Sequence, residues 1–195
     1  MLAFASCKKD SAKKTTTTTN TITATVGGSN INFSTNAVAE LASDSGAYIL
    51  AVAGASGADS SAQSIFVGLV SEGPIVKGTY TFNSSTDPYA TIVPDITYAK
   101  NLSGSAADFF VTDYELKVQN STISTTTTVT ITSISSTNVQ GTFSAVLVNA
   151  QINNTTTQTV TSGKFNVDIS ATKLQTMNSR ISAAKLQSLK NRIRN

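Results

Sequence analysis

Between Thr21 and about Ser170, apolar residues recur at every second position in short bursts. Clusters of Gly, Asn, Asp, Ser and Pro separate the bursts. Residues 21–26 read as an extended start that breaks at Gly27-Gly28-Ser29-Asn30, after which Ile31 and Phe33 share a face before Asn36. Residues 46–52 and 64–70 are almost continuously apolar, which is the pattern of strands covered on both faces. The segment 54–61 between them is a loop of small residues. Tyr80 and Phe82 align after the turn at Gly73-Pro74, and 83–88 is a further turn. Residues 89–98 contain Pro94-Asp95, so they form either two short strands or one kinked edge strand. After a loop at 101–108, Tyr114, Leu116 and Val118 alternate with Asp113, Glu115 and Lys117. Val129 with Ile131, Phe143 with Ala145 and Leu147, and Phe165 with Val167 and Ile169 repeat the alternation. The pattern predicts an all-β domain of about ten strands, an antiparallel β-sandwich or flattened barrel. No helical pattern separates the strands, which disfavours a parallel α/β sheet.

The character changes at residue 171. Gly and Pro vanish, and Leu174, Met177, Ile181, Leu186, Leu189 and Ile193 recur mostly at three- and four-residue spacings. With Thr172 as N-cap, residues 171–195 read as a basic amphipathic helix. Its apolar stripe has three destinations: the β-domain, with its charge drawn to an acidic body; a lipid headgroup layer or partner groove; or none, as a frayed tail. Lys173, Arg180, Lys185, Lys190, Arg192 and Arg194 would make the membrane or partner contact.

Charge sharpens this division. The net charge of +3 over 195 residues is segregated. Lys8, Lys9, Lys13 and Lys14 against Asp10 leave +3 in residues 1–14, and the six cations of residues 171–195 face no acid and give +6, so the middle carries −6. An acidic domain between two basic ends does not present the basic folded face of a nucleic-acid binder. His is absent and Cys7 is the single cysteine. That excludes an intramolecular disulfide, thiolate or imidazole zinc sites, and Ser-His-Asp or Cys-His catalysis. No metal or cofactor is predicted. No apolar run approaches the ~18 to 20 residues needed to span a bilayer as a helix.

Membrane attachment has another route. Leu2-Ala3-Phe4-Ala5-Ser6-Cys7 resembles the end of a bacterial lipoprotein signal, in which the cysteine is acylated and becomes the mature N-terminus. Phe4 stands where Leu is more usual, and the six residues before Cys7 include no basic one. A complete signal would therefore begin upstream of Met1. Lys8-Lys9-Asp10 resembles the start of mature Bacteroidota lipoproteins, and Asp10-Ser11-Ala12 resembles an O-glycosylation acceptor of that phylum, with Ser11 as the modified residue. Residues 8–20, with Thr15 to Thr19, cannot bury apolar area and read as a flexible tether. The expected order is a signal remnant over 1–7, the tether, a β-domain over 21–170 and the helix over 171–195.

Four short motifs in the β-region add a family resemblance. Val26-Gly27-Gly28-Ser29-Asn30-Ile31-Asn32-Phe33, Gly78-Thr79-Tyr80-Thr81-Phe82, Gly141-Thr142-Phe143-Ser144-Ala145 and Ser162-Gly163-Lys164-Phe165-Asn166-Val167 resemble small uncharacterised Bacteroidota lipoproteins. The resemblance spans residues 24–169. It implies one β-rich domain behind the lipidated cysteine, and it carries over no catalytic or binding residue. Lys8, rather than Asp, follows the cysteine. This favours the outer membrane, with the domain periplasmic or surface-exposed.

Candidate contacts inside the domain are few. Asp108, Asp113 and Glu115 are close enough in sequence to bind Ca²⁺ or a ligand, although a solvated strand face explains Asp113 and Glu115 more simply. Tyr89 and Tyr98 flank loops where aromatics stack on sugars, although packing at strand ends is the commoner role. The function expected is therefore non-enzymatic: a lipid-anchored envelope protein that binds a glycan or another envelope protein, or has a structural role at the surface. The alternatives are a subunit of an envelope assembly or fimbria-like filament docking through its helix or a sheet edge, and a carboxylate-dependent hydrolase.

Overall fold

Gly27 and Gly28 both take positive φ, 56° and 86°. This is the backbone of a two-residue hairpin turn whose twist matches its flanking strands. It joins β1 (Thr21–Val26) to β2 (Ser29–Asn32), with Val26 opposite Ser29. The chain continues through β3 (Thr35–Asp44), β4 (Ala47–Ala55), β5 (Ser64–Ser71), β6 (Gly78–Asn83), β7 (Ile92–Ala99), β8 (Phe109–Val111), β9 (Thr126–Ile134), β10 (Asn138–Asn149) and β11 (Thr157–Asp168). This computed structural model describes residues 20–44, 47–83, 85–86, 92–105, 108–112, 123–151 and 154–170. The expected strand over 113–118, the N-terminal segment 1–19 and the helix over 171–195 lie outside the described residues.

The eleven strands form one antiparallel sheet in the order β2-β1-β11-β10-β8-β7-β5-β4-β3. The sheet forks at β10, whose Val139–Val146 stretch pairs with β9 while Val148 and Asn149 pair with β8. β6 continues the β9 branch. The sheet curls until its ends meet. Ala39 of β3 forms a parallel bridge with Ile169, and the Ser170 N–H donates to the Ala39 carbonyl at 2.7 Å. Asn20 fastens the same seam: its amide nitrogen donates to the Ala37 carbonyl at 3.1 Å, and its oxygen accepts from the Asp168 N–H at 2.9 Å. Asn20 is therefore part of the domain, although composition places it at the end of the tether.

Extra residues bend the strands for this closure. β11 carries one more residue than β1 opposite Thr23 to Thr25, where Ser162 takes φ 52°. β3 carries one more than β4 opposite Thr35 to Val38, where Asn36 takes φ 53°. Such bulges raise local twist and cluster at barrel rims.

The interior is filled by alternate residues of every wall, including Ile22, Phe33, Leu50, Val67, Ile131 and Leu147. On β10 and β11 the filling is reciprocal. Phe143 lies opposite Gly163 and Phe165 opposite Gly141, and the two rings stack with centroids 6.3 Å apart. Each ring occupies the space that a side chain on the facing glycine would take, because a Cβ on Gly163 would meet Phe143 Cδ2 at 2.5 Å. Thr112 and Thr127 join hydroxyls at 2.9 Å where the fork opens, and Thr112 Oγ1 accepts from the Ile96 N–H at 3.0 Å.

β5 is buried along its whole length and β4 along most of it, as their continuous apolar runs require. Their second face, with Val38 of β3, forms a separate cluster of Val38, Ile49, Ala51, Phe66 and Val70. Pro94 falls in the half of β7 that pairs with β5 alone, since β8 reaches only Thr97 to Ala99. The missing N–H therefore breaks no ladder on the other side.

Candidate binding groove

The bulge at Asn36, the end of β4 and two loops meet at one mouth of the barrel. They enclose an open groove of about 340 Å³ lined by Asn36, Ala55, residues 57–60, Leu102 and Ser103. Its walls are shaped by turn chemistry. Asp59 Oδ1 accepts from the Ser61 hydroxyl at 2.6 Å and from the Ser61 N–H at 3.0 Å, which folds the β4–β5 loop back on itself. Asn101 Oδ1 does the same for the β7–β8 loop through the Ser103 N–H at 3.0 Å. The two loops are then stitched together: Ser103 donates to the Ser60 carbonyl from its N–H at 3.2 Å and from its hydroxyl at 3.1 Å, and the Leu102 N–H donates to the Ala62 carbonyl at 3.1 Å.

The Ser61 hydroxyl holds the Asp59 carboxyl below the ordinary aspartate range, against an opposing desolvation and with help from nearby backbone N–H groups. The groove thus presents one ionised carboxylate, small hydroxyls, an amide from Asn36 and an apolar patch from Leu102. That chemistry suits a polar, hydroxyl-rich ligand held by hydrogen bonds. The volume falls at the small end of the range of ligand sites, about 300–1,000 Å³.

The residues proposed from sequence are distributed differently. Asp108 is not among the groove's lining residues; its Oδ2 accepts from the Ser105 N–H at 3.0 Å and its carbonyl accepts from the Lys100 N–H at 2.9 Å. It caps the loop. Tyr98 is 4 % exposed and its ring packs edge-on to Phe33 and against Phe110. It is a core residue and offers no stacking surface, and burial pushes its phenol upward in pKa. The reason is period two: Tyr98 shares the inward face with Ile96. Lys100, just beyond β7, places its Nζ 4.9 Å from the Phe110 ring centre. Among the described residues no group of three or more acidic, histidine or cysteine side chains is placed to hold a metal. Cys7, Ser11, Tyr89, Asp113, Glu115, Lys173, Arg180, Lys185, Lys190, Arg192 and Arg194 lie outside the described residues.

Sequence reasoning recognised the small-residue loop but not its role in a groove. The available signals were Asp59-x-Ser61 and Asn101-x-Ser103, two side-chain-capped turns of the same spacing. Their approach in space depends on strand order, which neither turn encodes. No family model, no curated protein and no solved structure matches the chain.

Proposed function

We propose that this chain is a lipid-anchored cell-envelope protein whose β-domain acts without catalysis, in binding or in surface structure. The observation that carries the reading is Cys7, set after Leu2-Ala3-Phe4-Ala5-Ser6 and followed by Lys8-Lys9-Asp10 and a Thr tract. Acyl chains on Cys7 would hold the domain at an outer membrane, and the tether would enter the barrel at Asn20, on the seam. The proposed relationship to small Bacteroidota lipoproteins rests on the same segment and on the four strand motifs. The ligand class favoured by the groove is a glycan, because its lining offers carboxylate, hydroxyl and amide groups beside one apolar side chain. A partner envelope protein is the other candidate occupant.

A second reading has its own observation. Among the described strands β6 pairs with β9 alone, and its outward residues Thr79 and Thr81 are exposed. Such an edge suits strand addition from another subunit of an envelope assembly.

Detergent phase separation tests the anchor. Expressed from its full reading frame in a bacterium with lipoprotein processing, the wild type should enter the detergent phase and Cys7→Ala the aqueous phase. Equal partition into the aqueous phase would remove the basis of the proposal. Sedimentation at micromolar concentration separates the two readings, since only the assembly reading expects association, and a Thr81→Pro change at the edge should abolish it.

A further inference from the structure

We infer that Asn20 is a positioning residue for the groove. By holding the Ala37 carbonyl it keeps Asn36 at the groove wall, and it couples the groove to the point where the chain enters the domain. The inference deepens the binding reading and rests on it for the use of the groove.

Two walls of the groove hold each other. The loops at 57–60 and 102–103 are joined by the bonds of Ser103 to Ser60 and of Leu102 to Ala62. Asn36 belongs to neither loop. It lies in the bulge of β3, where the ladder to β4 passes from Thr35 to Val38 and leaves Asn36 and Ala37 out of register. The Ala37 N–H donates back to the Ser34 carbonyl at 3.3 Å, which closes a four-residue turn with Asn36 third. Asn36 takes φ 53° there. Positive φ at the third position is the type II arrangement, which Gly or Asn fills.

Both ends of this turn are held by the first residues of the described domain. The Ile22 N–H donates to Ser34 Oγ at 3.1 Å, and the Phe33 N–H donates to the Ile22 carbonyl at 2.7 Å. At the far end the Asn20 amide nitrogen donates to the Ala37 carbonyl at 3.1 Å. Ala37 is 6 % exposed, so its carbonyl needs a partner within the protein. Without Asn20 the turn loses that hold, and Asn36 is free to relax to the negative φ that L-residues prefer. Its amide then leaves the groove wall. The chain enters the described domain at Asn20. A pull on the N-terminal segment, or a partner that binds it, therefore acts on the groove through one side chain. By reciprocity, an occupied groove tightens the seam.

Amide hydrogen exchange and side-chain amide shifts of the full chain test this without a ligand. Asn20→Asp keeps an acceptor for the Asp168 N–H and removes the donor to Ala37. In this variant the Ala37 amide should exchange about two- to tenfold faster, the equivalent of one lost hydrogen bond. The Asn36 side-chain amide should shift, while the amides of Asp168, Ser103 and Val129 keep their wild-type protection. Unchanged signals at Asn36 and Ala37 would overturn the proposal. Faster exchange spread evenly over Asp168, Ser103 and Val129 would also overturn it, by giving Asn20 a structural role alone. Titration of the wild type with millimolar glucose, galactose and N-acetylglucosamine tests the binding reading separately. If Asn36 and Ser103 ignore all three sugars while the exchange result holds, the glycan reading falls and the positioning role stands.

Discussion

Replacing Asn20 by Ala should open the barrel seam. The side chain makes two hydrogen bonds, both to backbone groups far away in sequence: one to the Ala37 carbonyl, and one from the Asp168 N–H, a residue 148 positions distant. Each bond of this kind contributes about 0.5–1.5 kcal/mol net, and a buried backbone group left without its partner costs more. A loss of about 2 kcal/mol follows for the pair. For a domain of this size 1 kcal/mol moves the melting temperature by about 2–4 °C, so Asn20→Ala should melt roughly 4–8 °C below wild type. The internal control is Asn32→Ala. Asn32 accepts one exposed bond, from the Ser34 N–H at 3.0 Å, and surface changes of that kind usually fall within about 0.5 kcal/mol. Circular dichroism of both variants through the thermal transition decides the matter. If Asn20→Ala melts no lower than Asn32→Ala, the seam is held by strand pairing and core packing alone. The position matters for function as well. Asn20 is the first described residue after the Thr tract, so force applied through an anchored tether would reach the domain there.

Three further outcomes are expected. Gly163→Ala should lower the urea midpoint by the equivalent of about 1–3 kcal/mol, because its Cβ would meet the Phe143 ring at 2.5 Å and the Phe143 carbonyl at 2.6 Å; an unchanged midpoint would show that the ring pair yields freely. Thr112→Val keeps shape but removes the acceptor of the Ile96 N–H, so it should destabilise by about 1–3 kcal/mol while Thr112→Ser stays near wild type, as read by denaturant unfolding. The Asp59 carboxyl is lowered in the fold, so its contribution to the loop is present above the ordinary aspartate pKa and fades as pH falls through the lower folded value; the Ser61 amide shift should titrate with a midpoint below that of an unstructured aspartate, and Asp59→Asn should abolish the titration.

Legibility in the sequence followed burial. β1 and β9 to β11 alternate apolar and polar residues between one buried and one wet face, and their positions were readable. β5 was readable for the opposite reason: both of its faces are covered, so its run is unbroken. β3 was not readable. Its sequence, Thr-Asn-Ala-Val-Ala-Glu-Leu-Ala-Ser-Asp, is rich in Ala, Glu and Leu, which favour helix in isolation. Pairing with β4 and burial of Ala39 and Val38 override that preference. β8 is three residues long, too short to show a period, and it exists because the fork in β10 leaves Val148 and Asn149 to be paired. Two roles for Tyr98, packing at a strand end and ligand contact, stay open in the sequence for a related reason. Its loop-flanking position is visible in the sequence, whereas the inward face it occupies is set by β5 on one side and β8 on the other. The groove was the least legible feature, since its two loops are 43 residues apart at Ser60 and Ser103 and meet through the bonds of Ser103 to Ser60 and of Leu102 to Ala62.

The anchor at Cys7 is the central claim, and intact mass of the protein extracted from membranes tests it most directly. Expressed from its full native reading frame, the wild type should begin at Cys7 and carry acyl mass, while Cys7→Ala should lack it. A wild-type chain that retains residues before Cys7 and carries no lipid would contradict the account.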